Sequence, residues 1–407
     1  MEEHDAVIVG ARCAGSSLAI DLARRGWDVL LVDRDEFPST TISTHGIWPN
    51  GLARLERLGV LERIRSEHEL PMYESRFLGL GHEIVGAFTP IDGFDRAAAP
   101  RRIVLDKAGI DVALAAGAKA VFGKRVVGLL GAGTKEDPAR GVTLDDGELI
   151  GARWVFGADG RGSAVAKLLG IAKERPMRGE MAFSYSYWEG IPNTGYGSMQ
   201  IEFDRVLNRV PVEDGLHMLI AIGTPELTRG TQRERERKHL EMLRTFPETI
   251  DPDLLDEARM VSEVAVAPES LMRGFFRKPA GPGWALLGDA CHFKHPGTAQ
   301  GIGDAFEQAF YIAEALSESQ PSLDGYEEWR DARAAEQYEW SFAWGHFPRP
   351  GTGEALFRGW ATEPDAGQDL RDTFSRTVQP SQLNTKERLA RWFDSSPKAA
   401  AETAAGA

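Results

Sequence analysis

The sequence predicts an α/β fold: a Rossmann-like dinucleotide-binding domain, a mixed β-sheet domain inserted into it, and a helical segment toward the C-terminus. Three observations predict it. The first 34 residues read as strand, glycine loop, helix, strand and acid. Two later strands end in glycine–aspartate clusters, and the stretch between those clusters carries aromatic residues at alternate positions.

The N-terminal unit begins with Ala6-Val7-Ile8-Val9, a short apolar run of the kind that forms a strand buried on both faces. The loop Gly10-Ala11-Arg12-Cys13-Ala14-Gly15 follows, then a helix over 16–25 stopped by Gly26, then a second buried strand over 29–32 that closes on Asp33. In such a unit the first glycine makes the tight turn and the last lets helix pack on strand. The helix N-terminus holds a pyrophosphate, and the carboxylate about twenty residues on takes a ribose hydroxyl. Asp33 favours an unphosphorylated adenosine ribose, as in FAD or NAD. The second glycine of the usual pattern is Arg12 here. A guanidinium beside a diphosphate replaces the lost backbone approach with a charge-assisted hydrogen bond; the alternative is a surface arginine that points away.

Composition bounds the function. Hydrophobic residues make up 42% of 407, enough for a folded chain with two or three packed lobes. A formal net charge of -14 argues against a general nucleic-acid or anionic-membrane surface. No apolar run approaches the roughly 20 residues of a membrane span. The N-terminus passes directly into a strand, so no signal peptide is expected, and Cys13 and Cys291 do not make a disulfide framework. The expected location is cytoplasmic.

Two clusters then specify the dinucleotide. Trp154-Val155-Phe156-Gly157-Ala158-Asp159-Gly160 is a strand entering a loop, with a helix over 164–169. Trp284-Ala285-Leu286-Leu287-Gly288-Asp289 is another buried strand ending in an acid. It continues through Cys291 to Gly303 into a long helix over 304–316. Each alone is an ordinary strand-end turn; all three in this order are far more specific.

The trio resembles the FAD-binding fold of the para-hydroxybenzoate-hydroxylase-like flavoproteins, the group A flavin monooxygenases, whose relatives include geranylgeranyl reductases and flavin-dependent halogenases. The resemblance runs from residue 6 to about 326. It takes in Phe37-Pro38-Ser39, Ser43-Thr44-His45, Arg101-Arg102-Ile103-Val104-Leu105-Asp106 and the stretch from Pro296 to Gly301. It implies a glutathione-reductase-type FAD domain in which Gly10, Arg12, Cys13, Ala14 and Gly15 hold the pyrophosphate and Asp33 binds the ribose, with Arg34 beside it. Arg102 would open a helix that contacts the cofactor, Val126 would meet the adenine through its backbone, and Asp289 would bind the ribityl chain. Pro296, Gly301 and Ile302 would face the pyrimidine end of the isoalloxazine, where an N-terminal helix dipole favours the negative charge of reduced flavin. Asp159 and Gly160 would serve the pyrophosphate site and the approach of NAD(P)H, a transient electron donor. Gln308 stands where the family usually has Asp.

Between the clusters, Met181, Phe183, Tyr185 and Tyr187 alternate with Ala182, Ser184 and Ser186, giving a strand with an aromatic face. Met199, Ile201 and Phe203 repeat the pattern, 216–222 reads as a central buried strand, and 231–246 as a charged amphipathic helix. Such a sheet laid over a flavin supplies a dry pocket. From about 331 the chain is helical and rich in Trp and Phe; Pro348-Arg349-Pro350-Gly351 breaks it, and two or three short helices follow. The expected division is an FAD-binding domain from 1–72, 97–176 and 275–330, a substrate-binding sheet domain from 73–96 and 177–274, a helical segment over 331–395, and a frayed tail over 396–407. A second dinucleotide fingerprint is missing, which favours transient docking of NAD(P)H. Cys291-His292-x-x-His295 lacks a second ligand cluster, so no metal is expected.

The function expected is that of an FAD-dependent monooxygenase, hydroxylating an aromatic or other electron-rich small molecule through a C4a-hydroperoxyflavin with NAD(P)H and O2. The base that raises the substrate's nucleophilicity has two candidates, His45 first and Tyr187 second. The alternatives are a prenyl or alkene reductase of the geranylgeranyl type, a halogenase, and a non-enzymatic flavin-binding protein. Substrate identity, nicotinamide preference and oligomeric state stay open at this level.

Overall fold

The apolar run at 6–9 belongs to a longer strand, Glu2–Val9, in a computed structural model that describes residues 2–267 and 269–394. The tail expected at 396–407 lies outside the described residues. Glu2–Val9 runs parallel to Val29–Val32 on one side and to Leu149–Gly157 on the other. Trp284–Leu286 and Lys119–Val121 add a further parallel strand at each end. Val29–Val32 and Trp284–Leu286 are wholly apolar and buried, and Leu149–Gly157 nearly so, which is why they read as continuous runs. The helix Cys13–Arg24 starts three residues before the expected 16, since the loop Gly10–Arg12 is so short that the helix begins directly over the strand end. Arg102–Ala115 and Gly301–Ala315 pack beside it. The hairpin Val126–Leu129 and Gly141–Leu144 hangs on Leu149–Gly157.

A second sheet is built from Arg259–Met260, Ala182–Glu189, His217–Gly223, Val206–Pro211, Tyr196–Ile201, Glu74–Gly79 and His82–Gly86, in that spatial order. Its pairings are antiparallel except for Tyr196–Ile201 on Glu74–Gly79. The strand expected at 216–222 sits at its centre and is buried throughout. One expectation fails here. Phe203 does not continue the pattern of Met199 and Ile201: the strand ends at Ile201, the chain reverses so that Ile201 pairs with Val206, and Phe203 lies in that turn, 39% exposed. The helix Gln232–Leu243 is opened by a capping box in which the Thr231 hydroxyl accepts from the Glu234 amide and Glu234 accepts from the Thr231 amide. A short third sheet, Glu174–Arg178, Arg273–Phe276 and His292–Phe293, ties the first two together.

After the break at 348–351 come, among the described residues, four helices, not two or three: Thr352–Thr362, Pro364–Ser375, Pro380–Leu383 and Lys386–Asp394. Pro364 and Pro380 each occupy a first helical position, where the missing N–H is of no consequence and the fixed φ suits the helix. These helices belong to the core of the second sheet. Phe357, Trp360, Phe374, Leu383 and Trp392 share one apolar cluster with Phe77, Ile84, Phe183 and Ile220.

Candidate active site

The C-terminal ends of the parallel strands and the aromatic face of Ala182–Glu189 enclose one cavity of about 1250 Å³. Its cofactor side is made by the glycine loop. Gly10 has φ +100, and a Cβ there would lie 2.5 Å from the Ala158 carbonyl oxygen; a Cβ on Gly15 would lie 1.7 Å from the Gly10 carbonyl oxygen. Gly10 therefore lets the chain turn beneath the cavity, and Gly15 lets helix and strand touch. Asp33 closes Val29–Val32 and accepts from the Ala11 amide (2.7 Å) and the Asp35 amide (2.9 Å), which fixes the carboxylate against the loop.

Asp159 accepts from the amides of Ala164 (2.6 Å) and Val165 (3.3 Å), leaving its Oδ1 buried without a partner. Asp289 follows the short strand Trp284–Leu286 and is half-buried on the cavity wall. Burial pushes its carboxyl up to about 6, with Arg102 and then Arg161 pulling the other way. Behind it the Gln308 side chain accepts from the Gly288 amide (2.7 Å) and the Tyr326 hydroxyl (3.2 Å) and bonds to His292 (3.0 Å). Gln308 thus holds the Asp289 loop from below.

Of the residues that the sequence assigns to the cofactor, all but Gly15 line this cavity: Gly10, Arg12, Cys13, Ala14, Asp33, Arg34, Arg102, Val126, Asp159, Gly160, Asp289, Pro296, Gly301 and Ile302. The helix expected from 304 begins at Gly301, so Gly301 and Ile302 form its open first turn. Arg12 differs from expectation. Its guanidinium is taken by protein groups: Asp106 (2.7 Å), Asp35 (3.1 Å), the Ser39 hydroxyl (2.9 Å) and the Thr40 carbonyl (3.3 Å). Asp106, which also accepts from Arg102 (2.8 Å) and the Cys13 thiol (3.2 Å), is the buried acid that draws both arginines together.

The residues 3–341 match the family described as FAD binding domain. The chain belongs to that family. It is 26% identical over 317 residues to a menaquinone reductase of Mycolicibacterium smegmatis, covering 77% of this chain and 76% of that protein. It is 28% identical over 342 residues to 6-methylpretetramide 4-monooxygenase of Streptomyces rimosus, covering 81% and 79%. In fold it is similar to a flavoprotein/dehydrogenase from Cytophaga hutchinsonii, with a TM-score of 0.77, 17% identity and coverage of 93% and 94%.

FAD is the cofactor, and the protein is an FAD-dependent oxidoreductase. The cavity fits FAD in three respects. Its floor is a tight turn at Gly10, where a Cβ would collide with the Ala158 backbone, it holds a buried Asp159 carboxylate oxygen with no partner among the described residues, and its far end is a helix N-terminus.

The opposite wall comes from Phe183, Tyr185, Ile220, Ala267 and Leu271. Tyr185 and Ile220 are paired across neighbouring strands, so their side chains stand together. His45 and Tyr187 are brought together: His45 Nε2 and the Tyr187 hydroxyl share a short hydrogen bond, and Tyr185 stacks edge-on against both rings at 5.8 Å. Neither His45 nor Tyr187 lines the cavity, whereas Thr44, Gly46 and Tyr185 do. His45 adopts φ 60, which turns its ring behind the wall, and burial brings its imidazole down to about 3. The other nitrogen, Nδ1, is buried without a partner. Burial likewise raises the Tyr187 phenol well above its usual value.

Sequence reasoning missed Lys294, Asp304 and Arg376. Lys294 lines the cavity yet is buried and lies 2.7 Å from Asp304, whose other oxygen pairs with Arg376 from the C-terminal helices. Lys294 stood inside the loop already singled out. Arg376 had no sequence signal at all, since nothing local tells where a distant arginine will dock. Among the described residues no cluster of His, Cys, Asp and Glu is placed to hold a metal, and no helix is long and apolar enough to cross a membrane.

Proposed function

We propose that the protein is an FAD-dependent monooxygenase that hydroxylates an aromatic or other electron-rich small molecule with NAD(P)H and O2. The observation that carries this is the single cavity with two unlike walls, a dinucleotide cradle facing Phe183 and Tyr185. The monooxygenases among the relatives, which act on rifampicin and on 6-methylpretetramide, support it. When bound, FAD supplies the redox chemistry, taking electrons from NAD(P)H and delivering oxygen. The chain binds and orients. Gly10 and the first turn of Cys13–Arg24 receive the diphosphate, Asp33 the ribose and Asp289 the ribityl hydroxyls, while Gly301 and Ile302 offer amides to the ring.

On the substrate side, the apolar wall excludes water and the Tyr185 hydroxyl meets the substrate. Behind Tyr185, Tyr187 and His45 share a hydrogen bond and are both neutral at physiological pH, so the pair holds the Tyr185 ring and hydroxyl in place toward the substrate. Two buried, unpaired thiols and the need for reduced nicotinamide accord with a cytoplasmic location.

Purified protein mixed with NADH or NADPH under ¹⁸O2 and a panel of phenolic and polycyclic compounds tests this. Substrate-stimulated nicotinamide oxidation with ¹⁸O in the product is expected. A product two mass units heavier and free of ¹⁸O overturns hydroxylation in favour of alkene reduction, the reading that the menaquinone reductases among the relatives would suggest.

A further inference from the structure

On the sheet that carries the aromatic wall, four residues stand opposite one another on successive strands. Tyr185 pairs with Ile220, Ile220 with Asn208 and Asn208 with Met199, so their side chains share one face. Tyr185 and Ile220 line the cavity, and Asn208 stands one strand beyond Ile220. The rows on either side run Phe183, Ile222, Val206 and Tyr187, Met218, Val210, with no charge among them. A carboxamide thus stands in an aromatic and aliphatic surface.

Its Oδ1 is buried and has no hydrogen-bond partner among the described residues. On the opposite face of the same sheet, polar side chains are held. Ser184 and Ser186 bond to His239 (2.9 and 2.8 Å), Gln200 accepts from the Thr249 hydroxyl (2.8 Å), and Arg209 donates to the Thr249 carbonyl (3.2 Å). An amide oxygen buried without a partner weakens the fold, and an aliphatic residue would suit this face better. Asn208, Met199 and Val210 are moreover only half-buried, where Ile220, Ile222 and Val206 are buried. Trp344, which meets Phe77 (6.4 Å) on the strand beyond Met199, is half-buried as well. Solvent therefore reaches into this part of the covered face.

We propose that Asn208 is a specificity-determining residue that reads the far end of the substrate, a neutral molecule of more than one ring. Neighbouring strands lie ~4.8 Å apart, so Asn208 stands about 10 Å along the row from the strand of Tyr185. A single benzene ring is too short for that reach, and a fused-ring system is not. A carboxylate finds no countercharge on these rows and would lose its hydration on entry. A hydroxyl or amide N–H instead meets the carboxamide, which offers an acceptor or, after a half-turn, a donor. The inference rests on the monooxygenase reading of the cavity, since it takes this sheet as the substrate's wall.

The probes are 2-naphthol, 2,6-dihydroxynaphthalene, which adds one hydroxyl at the far end, and 6-hydroxy-2-naphthoate, whose far group is charged. Affinities for the holoprotein are read from the change in flavin absorbance, and turnover separately from ¹⁸O in the product. Wild type is expected to bind the diol about tenfold more tightly than 2-naphthol, and the naphthoate more weakly than either. Asn208→Leu is expected to lose that tenfold for the diol while holding 2-naphthol within about threefold of wild type. It is also expected to unfold at a higher temperature, because an unpartnered amide has been removed from an apolar face. An unchanged ratio of the two affinities in Asn208→Leu overturns the proposal. A lower unfolding temperature overturns it too, since the carboxamide would then serve the fold, and so does failure of all three probes to bind wild type. The expected ratios with no ¹⁸O in any product support the role of Asn208 and overturn hydroxylation.

Discussion

The two walls of the cavity solve different problems. The dinucleotide wall works through main chain and charge: turns that admit no Cβ, amides at helix starts, and carboxylates fixed by hydrogen bonds. The facing wall works through bulk: Phe183, Tyr185, Ile220 and Leu271 on a sheet whose cover is a second set of helices. The first wall is intolerant because backbone cannot give way, while the second can repack around a different side chain. Cofactor identity is therefore set by a few positions with hard limits, and substrate choice by many with soft ones.

The sharpest way to break that contrast is Gly15→Ala. A methyl 1.7 Å from the Gly10 carbonyl oxygen forces the helix off the strand. We expect a stability loss of about 3 kcal/mol and FAD affinity down by about 100-fold or more. Phe183→Leu on the opposite wall is expected to keep FAD affinity within about threefold while changing substrate response. Titration of both apoproteins with FAD compares them directly, and equal losses would dissolve the distinction.

Asp289 tests charge in place of shape. The ribityl contact proposed for it would be worth about 1.5–3 kcal/mol, so Asp289→Ala is expected to purify as folded, largely colourless apoprotein. The same residue carries a pH signature. Burial raises its folded value to about 6 from 3.8, so the folded state holds this proton more tightly than the unfolded chain does. Its contribution is complete below about pH 4 and is lost as pH rises through 6, to a total of roughly 3 kcal/mol. Denaturation of the apoprotein across that window should show this slope in wild type and not in Asp289→Asn.

On the facing wall, Tyr187→Phe keeps the ring and removes the hydroxyl that His45 holds. A roughly tenfold fall in kcat with little change in KM or FAD content is expected, measured under substrate saturation. Unchanged kcat would reduce the His45–Tyr187 pair to packing.

The dinucleotide wall was legible in the sequence because its constraints are local. A glycine, an acid at a strand end and a helix start lie within a few residues of one another, and nearly every residue assigned from them lines the cavity. The alternation of 181–187 revealed the facing wall for the same reason. It did not show that His45 would turn its ring behind that wall, since a positive φ at a non-glycine residue leaves no mark in composition. The C-terminal helices were undercounted because Pro364 and Pro380, which start two of them, were not used as helix-start signals. The pairing of Asp106 with Arg12 and of Arg376 with Asp304 escaped because these ion pairs join segments far apart in sequence, and no spacing rule connects them.

Arg12 is where local reading and tertiary structure meet, and it yields the smallest expected effect. If its guanidinium caps the pyrophosphate, Arg12→Gly should harm FAD binding less than Arg12→Ala, because glycine restores the close backbone approach. The structure favours another outcome. Asp106 is 1% exposed and has two arginines, so removing one leaves it with Arg102 alone whichever small residue replaces Arg12. Both variants are then expected to lose about 1–2 kcal/mol of stability by a similar amount, less than for a buried acid stripped of every partner. Asp106→Asn in the Arg12→Ala background should recover part of it by removing the charge that lost its partner. Denaturation curves measure the stabilities and a parallel FAD titration the affinities. Stabilities that stay at wild type, with affinity falling for alanine and not for glycine, would return Arg12 to the diphosphate.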